Sequence, residues 1–223
     1  MSRPRPSTLP HRPVSLAAVA SLFRKGLLVL AACLPFTLNA EPAQRLEPGT
    51  MAARVAACVH CHGADGRAGP DGFYPRIAGK PAGYLYTQLV LFRDGGRSYD
   101  PMRHLLEGLS DEYLNDIAQH FADMRLPYAP PARPSAPAAV LETGRMLAET
   151  GKAAQGVPAC AACHGSAFTG MEPHIPGLLG LSRDYIASQL GSWRTGLRHA
   201  AEPDCMAQVV QQLTAEEIGA ISA

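Results

Sequence analysis

An excess of charge of either sign is missing from this 223-residue chain: 20 lysines and arginines face 19 aspartates and glutamates, a formal charge of +1. Binding to nucleic acid needs a basic face or stripe that displaces counterions from phosphates, so that class of function is set aside. Aromatic residues are scarce too, at 6% with a single tryptophan. No apolar run reaches the roughly 20 residues that a membrane-spanning helix requires. Proline (20) and glycine (21) are abundant instead, and both punctuate loops. At 47% apolar and 17% charged residues the chain is still expected to be globular, not disordered or coiled-coil. Much of it should be loop, wrapped around something other than its own side chains. At roughly 100 to 200 residues per domain, the length allows one large domain or two small ones.

The first 40 residues hold five basic side chains (Arg3, Arg5, Arg12, Arg24, Lys25) and no acidic one, and Arg24-Lys25 precedes an apolar run from Leu27 to Leu38. This is the pattern of a secretory signal peptide over residues 1–40, with cleavage expected after Ala40. The run Leu30-Ala31-Ala32-Cys33 offers a competing expectation, a lipobox with Cys33 as a lipid-modified N-terminus. Removing residues 1–40 leaves 15 basic and 19 acidic residues, a formal charge of −4.

Cysteines fall at positions 33, 58, 61, 160, 163 and 205, and the middle four form Cys58-Val59-His60-Cys61-His62 and Cys160-Ala161-Ala162-Cys163-His164. Each is C-x-x-C-H, the attachment motif of c-type haem. Two thiols three residues apart at a helix start can add to the two vinyl groups of one haem, and the adjacent histidine then lies under the iron. A lone C-x-x-C would equally suit a thioredoxin-like pair or half of a zinc site. The thioredoxin reading lacks its βαβ context, and the zinc reading leaves two copies, 102 residues apart and each with the histidine, unaccounted for.

The two halves match beyond the cysteines, which marks an internal repeat. Tyr84, Gln88, Leu89, Phe92, Arg93 and Arg97 align at an offset of 101 with Tyr185, Gln189, Leu190, Trp193, Arg194 and Arg198. Met102, seven residues before Leu109, aligns at an offset of 104 with Met206, seven before Leu213. Pro75 and Pro176 follow the motif histidines by 13 and 12 residues.

These motifs resemble a diheme member of the class I cytochromes c, closest to the cytochrome c4 type, over essentially all of residues 45–223. The resemblance implies an all-α fold of two tandem class I cytochrome c domains, each a small helical shell around one covalently bound haem. The expected boundaries are 41–126 for the first domain, 127–137 for a linker with five prolines in eleven residues, and 138–223 for the second. It also implies an axial methionine from a later loop. Among Met51, Met102, Met124, Met146, Met171 and Met206, only Met102 and Met206 occupy equivalent positions. The expected haem c sites are thus Cys58, Cys61, His62 and Met102, and Cys160, Cys163, His164 and Met206. His104 and His199 are alternative ligands that do not coincide in the repeat, and His60 is read as a surface residue.

Pro75 and Pro176 are expected to present backbone carbonyls to the other ring nitrogen of His62 and His164. Tyr84, Gln88, Arg93, Arg97 and their counterparts are read as helical residues, some of which bind haem propionates through arginine's fork. Closing helices are expected after Ser110 and Thr214, the latter with Glu217 in a capping box. The second, ending at Ala223, lacks counterparts of His120 to Met124 and reads as truncated. Cys205 is expected to be a free, partly buried thiol.

The function expected is electron carriage in the periplasm, between partners such as a quinol-oxidising complex and a terminal oxidase, with no bond-making chemistry and at most peripheral membrane association. His/Met ligation would make both haems high-potential. A cytochrome subunit of a dehydrogenase, or a diheme peroxidase, is the alternative.

Overall fold

The computed structural model describes residues 46–69, 72–130 and 133–223. The signal segment and Cys33 lie outside these residues. Nine α-helices, one 3₁₀ turn and a two-stranded ribbon make up the described chain. None of the helices is long and apolar enough to cross a membrane.

The first half holds α1 (Met51–His62), α2 (Ala82–Arg93), α3 (Asp100–Leu106) and α4 (Asp111–Ala122). Thr50 and Ser110 cap α1 and α4, accepting from the amides of Ala53 and Tyr113, each meeting an N–H left over by the first turn. Helix α4 carries Leu114, Ile117, Ala118 and Phe121 along one buried face. These pack against α2 and α1 in a core of Val55, Leu85, Ile117, Ala118 and Phe121, with Cys58 at its margin.

The second half repeats the plan with α5 (Ala138–Glu149), α6 (Cys160–His164), α7 (Arg183–Arg194), α8 (Cys205–Gln211) and α9 (Ala215–Ser222). Helices α5 and α9 cross so closely that a Cβ on Gly144 would overlap the carbonyl of Ala220. Thr214 and Glu217 form the capping box expected of α9. Glu217 also holds Lys152 at 2.6 Å, tying the closing helix to the turn ahead of the second C-x-x-C-H.

Cys205, expected to be partly buried, is exposed, and three further local expectations need correction. The first C-x-x-C-H is the last turn of the long α1, not a helix start, while the second stands alone as the one-turn α6. The difference lies in residues 150–159, where Gly151 and Gly156 at positive φ turn the chain out of helix before Cys160. Met102 and Met206 sit in the first turns of α3 and α8, not in loops. Arg97 and Arg198 lie beyond the ends of α2 and α7, in an antiparallel bridge to each other.

The start of the proline-rich segment is held against the first half. Arg76 donates to the carbonyls of Leu126 (2.5 Å) and Pro127 (3.1 Å) and lies 4.3 Å from the ring centre of Tyr128. Contacts between the halves are reciprocal. The amide of Tyr84 donates to Pro173, and the Ser182 hydroxyl donates to Gly72 while capping α7.

Candidate haem sites

Each motif histidine is buried and already committed at one nitrogen. His62 Nδ1 lies 2.9 Å from the carbonyl of Pro75, and His164 Nδ1 lies 2.8 Å from that of Pro176. A carbonyl can only accept, so Nδ1 carries the proton and Nε2 keeps its lone pair for a metal. Burial pulls both imidazoles below their ordinary range, against these hydrogen bonds, so each is neutral and ready to ligate at neutral pH.

None of the four motif cysteines is in a disulfide. Burial pushes Cys58 and Cys160 upward, so neither is a reactive thiolate by default. Among the described residues no three His, Cys, Asp or Glu side chains gather as a metal site of their own. That leaves the zinc reading without a ligand set.

The two methionines occupy equivalent places. Met102 packs beside Phe92, Leu106 and Leu114, and Met206 beside Val157, Leu190, Val210, Leu213 and Ile218. Met51 and Met124 pack on the first core, and Met171 is exposed. In the first site Tyr74 stands edge-on to His62 at 6.0 Å. Tyr99, the residue just before α3, and Cys61 both adjoin the Tyr74 phenol and push it up to about 12. His104 is exposed, bonded to the carbonyl of Asp100 in its own helix, and His199 and His60 are exposed as well.

Asp204 is a site residue that the sequence reading missed. Its buried carboxylate accepts from the amides of Ala207 (2.9 Å) and Ala200 (2.7 Å) and from the indole of Trp193 (3.3 Å). It thereby fixes the start of α8 two residues before Met206. An aspartate just ahead of a short helix is a legible cap signal, but nothing in the sequence marks its bonds to Ala200 and Trp193.

The polar repeat residues divide into two groups. Arg93 and Arg194 each donate to the carbonyl of a leucine, Leu109 and Leu213, at 2.9 Å, bracing the turn that leads to the closing helix. The others interlock across the halves. Arg97 donates to Gln88 (2.8 Å), Tyr185 (2.8 Å) and Gln189 (2.6 Å). Arg198 donates to Gln189 (2.8 Å), Gln88 (3.0 Å) and Tyr84 (3.4 Å). The guanidiniums also stack on Phe92 and Trp193, at 4.4 and 3.8 Å.

Four cations, Arg76, Lys80, Arg97 and Arg198, are buried here, and none appears in an ion pair among the described residues. Burial lowers Lys80 to about 8 and lowers Arg198, with Arg97 adding to the latter. Burial alone would raise Tyr84, yet Arg198, Arg97 and Lys80 together draw it below its ordinary value. The Nε of Arg198 is buried without a partner. Unpaired buried cations and an orphaned donor are costly unless an anion meets them. Haem carries carboxylates, so the residues present fit the group: thiols for its vinyls, imidazole for its iron, and cations for its propionates.

Comparison with known proteins agrees with this geometry. No protein-family model matches the chain. It is 36% identical to cytochrome c4 of Pseudomonas aeruginosa over 76% of this chain and 83% of that one. It is 36% identical to the thiosulfate dehydrogenase electron acceptor of Stutzerimonas stutzeri, over 74% and 76%. Among solved structures, reduced cytochrome c4 from Pseudomonas stutzeri superposes with a TM-score of 0.64 at 33% identity, covering 76% of this chain and 92% of that one. Thiosulfate dehydrogenase from Marichromatium purpuratum gives a TM-score of 0.64 at 34% identity, and there the match spans 74% of this chain but 35% of the other. By these similarities, and by its two C-x-x-C-H motifs in repeated helical shells, the chain belongs to the cytochrome c4 family of diheme c-type cytochromes, which bind haem c covalently.

Proposed function

We propose that the chain is a periplasmic electron carrier in which Cys58 and Cys61 bind one haem and Cys160 and Cys163 the other. His62 with Met102, and His164 with Met206, complete the two irons. The observation that carries this reading is the pairing of each motif histidine with a proline carbonyl, which leaves Nε2 as the free donor on both. Haem supplies a one-electron couple at each iron. The chain's own residues set its potential and shield it: the neutral imidazoles are held in one orientation, and the thioether sulfurs favour the ferrous state. Met102 and Met206 would hold the iron of each haem opposite the motif histidines, and with both thioethers bound neither haem would offer an open site for peroxide chemistry.

Partners such as a quinol-oxidising complex and a terminal oxidase suit this reading. Relatives called thiosulfate dehydrogenase electron acceptors, 33 and 36% identical, favour a second, narrower one: an electron acceptor for a dehydrogenase of a reduced sulfur compound. Potentiometric titration of the exported holoprotein, with carbon monoxide added to the reduced form, tests the carrier. Two high-potential waves without carbon monoxide binding are expected; one haem that binds carbon monoxide overturns it. Reduction by a thiosulfate dehydrogenase supplied with thiosulfate, compared with reduction by a quinol-oxidising complex, separates the two kinds of donor.

A further inference from the structure

The buried cations are shared unevenly between the halves. Arg97 and Arg198 are related by the repeat and meet in a bridge between the halves, so each half supplies one. Lys80, one of three lysines in the chain, breaks the symmetry. It leaves the turn after Gly79 in the first half and donates through Nζ to the carbonyl of Gly177 in the second, at 2.5 Å. Gly177 follows Pro176, whose own carbonyl holds His164 Nδ1 at 2.8 Å. Nothing returns the gesture, because at the offset of 101 the counterpart of Lys80 is Leu181.

The counterpart of Gly177 in the first half is Arg76, whose guanidinium turns to the carbonyls of Ala78, Leu126 and Pro127. No such side chain fits in the second half: a Cβ on Gly177 would stand 2.5 Å from the carbonyl oxygen of Thr169. The loop that orients His164 therefore has no cation of its own at this position and receives one from the other half. Lys80 is 5% exposed and in no ion pair among the described residues. With a pKa of about 8 it is protonated at neutral pH. A fixed positive charge at low local dielectric opposes the gain of one positive charge when a neighbouring iron is oxidised, and burial keeps salt from screening it.

We propose that Lys80 sets the potential of the second haem from across the molecule: an ammonium supplied by the first half raises the reduction potential of the haem held by His164, and so makes two sequence-related haems inequivalent. This rests on His164 being an axial ligand. Lys80 is a positioning and charge-setting residue and touches no reacting atom.

The test is a potentiometric titration of holoprotein at neutral pH in which the two haems are followed separately by their NMR signals. Lys80→Gln keeps a donor for the Gly177 carbonyl and removes the charge; Lys80→Arg keeps the charge. In Lys80→Gln, the oxidised-to-reduced ratio of the second haem at fixed ambient potential is expected to rise at least threefold. The first haem should move by less than half as much, and Lys80→Arg should leave both near wild type. Equal shifts of both haems, or no shift, overturn the proposal. Lys80→Met provides the same reading if the glutamine variant does not retain both haems. Failure of the ligand assignment is distinguishable, since the wild-type second haem would then lack the NMR signals of an axial imidazole from His164.

Discussion

Arg97 and Arg198 are joined backbone to backbone in an antiparallel bridge, and each guanidinium donates to the glutamine of both halves. Two like charges are thus buried side by side and held by neutral oxygens. A charge-assisted hydrogen bond contributes about 1.5 to 3 kcal/mol, so these bonds fasten one half to the other. Arg198→Met is expected to split a single cooperative thermal transition of the holoprotein into two. Scanning calorimetry checks this, and one undivided transition would show that the halves are held together elsewhere.

Met102→Ala and Met206→Ala are each expected to leave both haems attached, because the cysteines are untouched. Each should lower one potential and let one reduced haem bind carbon monoxide. If both variants keep wild-type potentials and refuse the gas, Met102 and Met206 are not the ligands.

Asp204→Ala removes the cap of α8 and strands the Trp193 indole, a loss of about 1 to 2 kcal/mol. Because Asp204 anchors the turn that carries Met206, methionine ligation at the second haem should weaken while the first stays unchanged. Asp204→Asn, which keeps an acceptor oxygen for the helix, should restore much of it. NMR of the bound methionine methyl groups reads both sites at once.

Glu217 is held below its ordinary carboxylate value of 4.5, chiefly by Lys152 and also by the amide of Thr214. A carboxyl depressed in the folded state contributes stability that is complete above its unfolded value and is lost as pH falls through its folded value. Acid denaturation of Glu217→Gln should therefore be less steep below pH 4.5, and the variant should be about 1 kcal/mol less stable at neutral pH. A parallel pair of stability curves, offset equally at pH 3 and pH 7, would contradict this.

Gly144→Ala drives a methyl group into the backbone of α9, where overpacking costs about 1 to 3 kcal/mol. Gly219, on α9 itself, faces open space, with nothing within 4 Å of where a Cβ would stand, so Gly219→Ala should stabilise the same helix by about 0.5 to 1 kcal/mol. Denaturant midpoints of the two variants should move in opposite directions.

Much of each site was legible because it is written within short stretches of chain. C-x-x-C-H needs only five residues, and the proline carbonyl follows its histidine by 13 or 12, so both partners of these hydrogen bonds could be named from the repeat. Ser110, Thr214 and Glu217 announced their caps for the same reason, since a cap satisfies amides one turn away. The place of the motif within its helix was less legible. Val55 and Cys58 lie on one continuous helix whereas α5 and α6 are separated by a glycine turn, and the repeat at Cys58 and Cys160 gives no sign of that.

What the sequence by itself determined is the chemistry: two thiol pairs, two imidazoles and their repeat, all set by covalent spacing. What only the tertiary structure decided is the electrostatic setting of that chemistry. Lys80 meets Gly177 across 97 residues and Arg198 meets Gln88 across 110, and such contacts exist only once α2 and α7 face each other. A lysine or arginine in a sequence is ordinarily a solvated charge. Packing the two shells together strips water from Lys80, Arg97 and Arg198, a cost of burial that no short stretch of sequence announces.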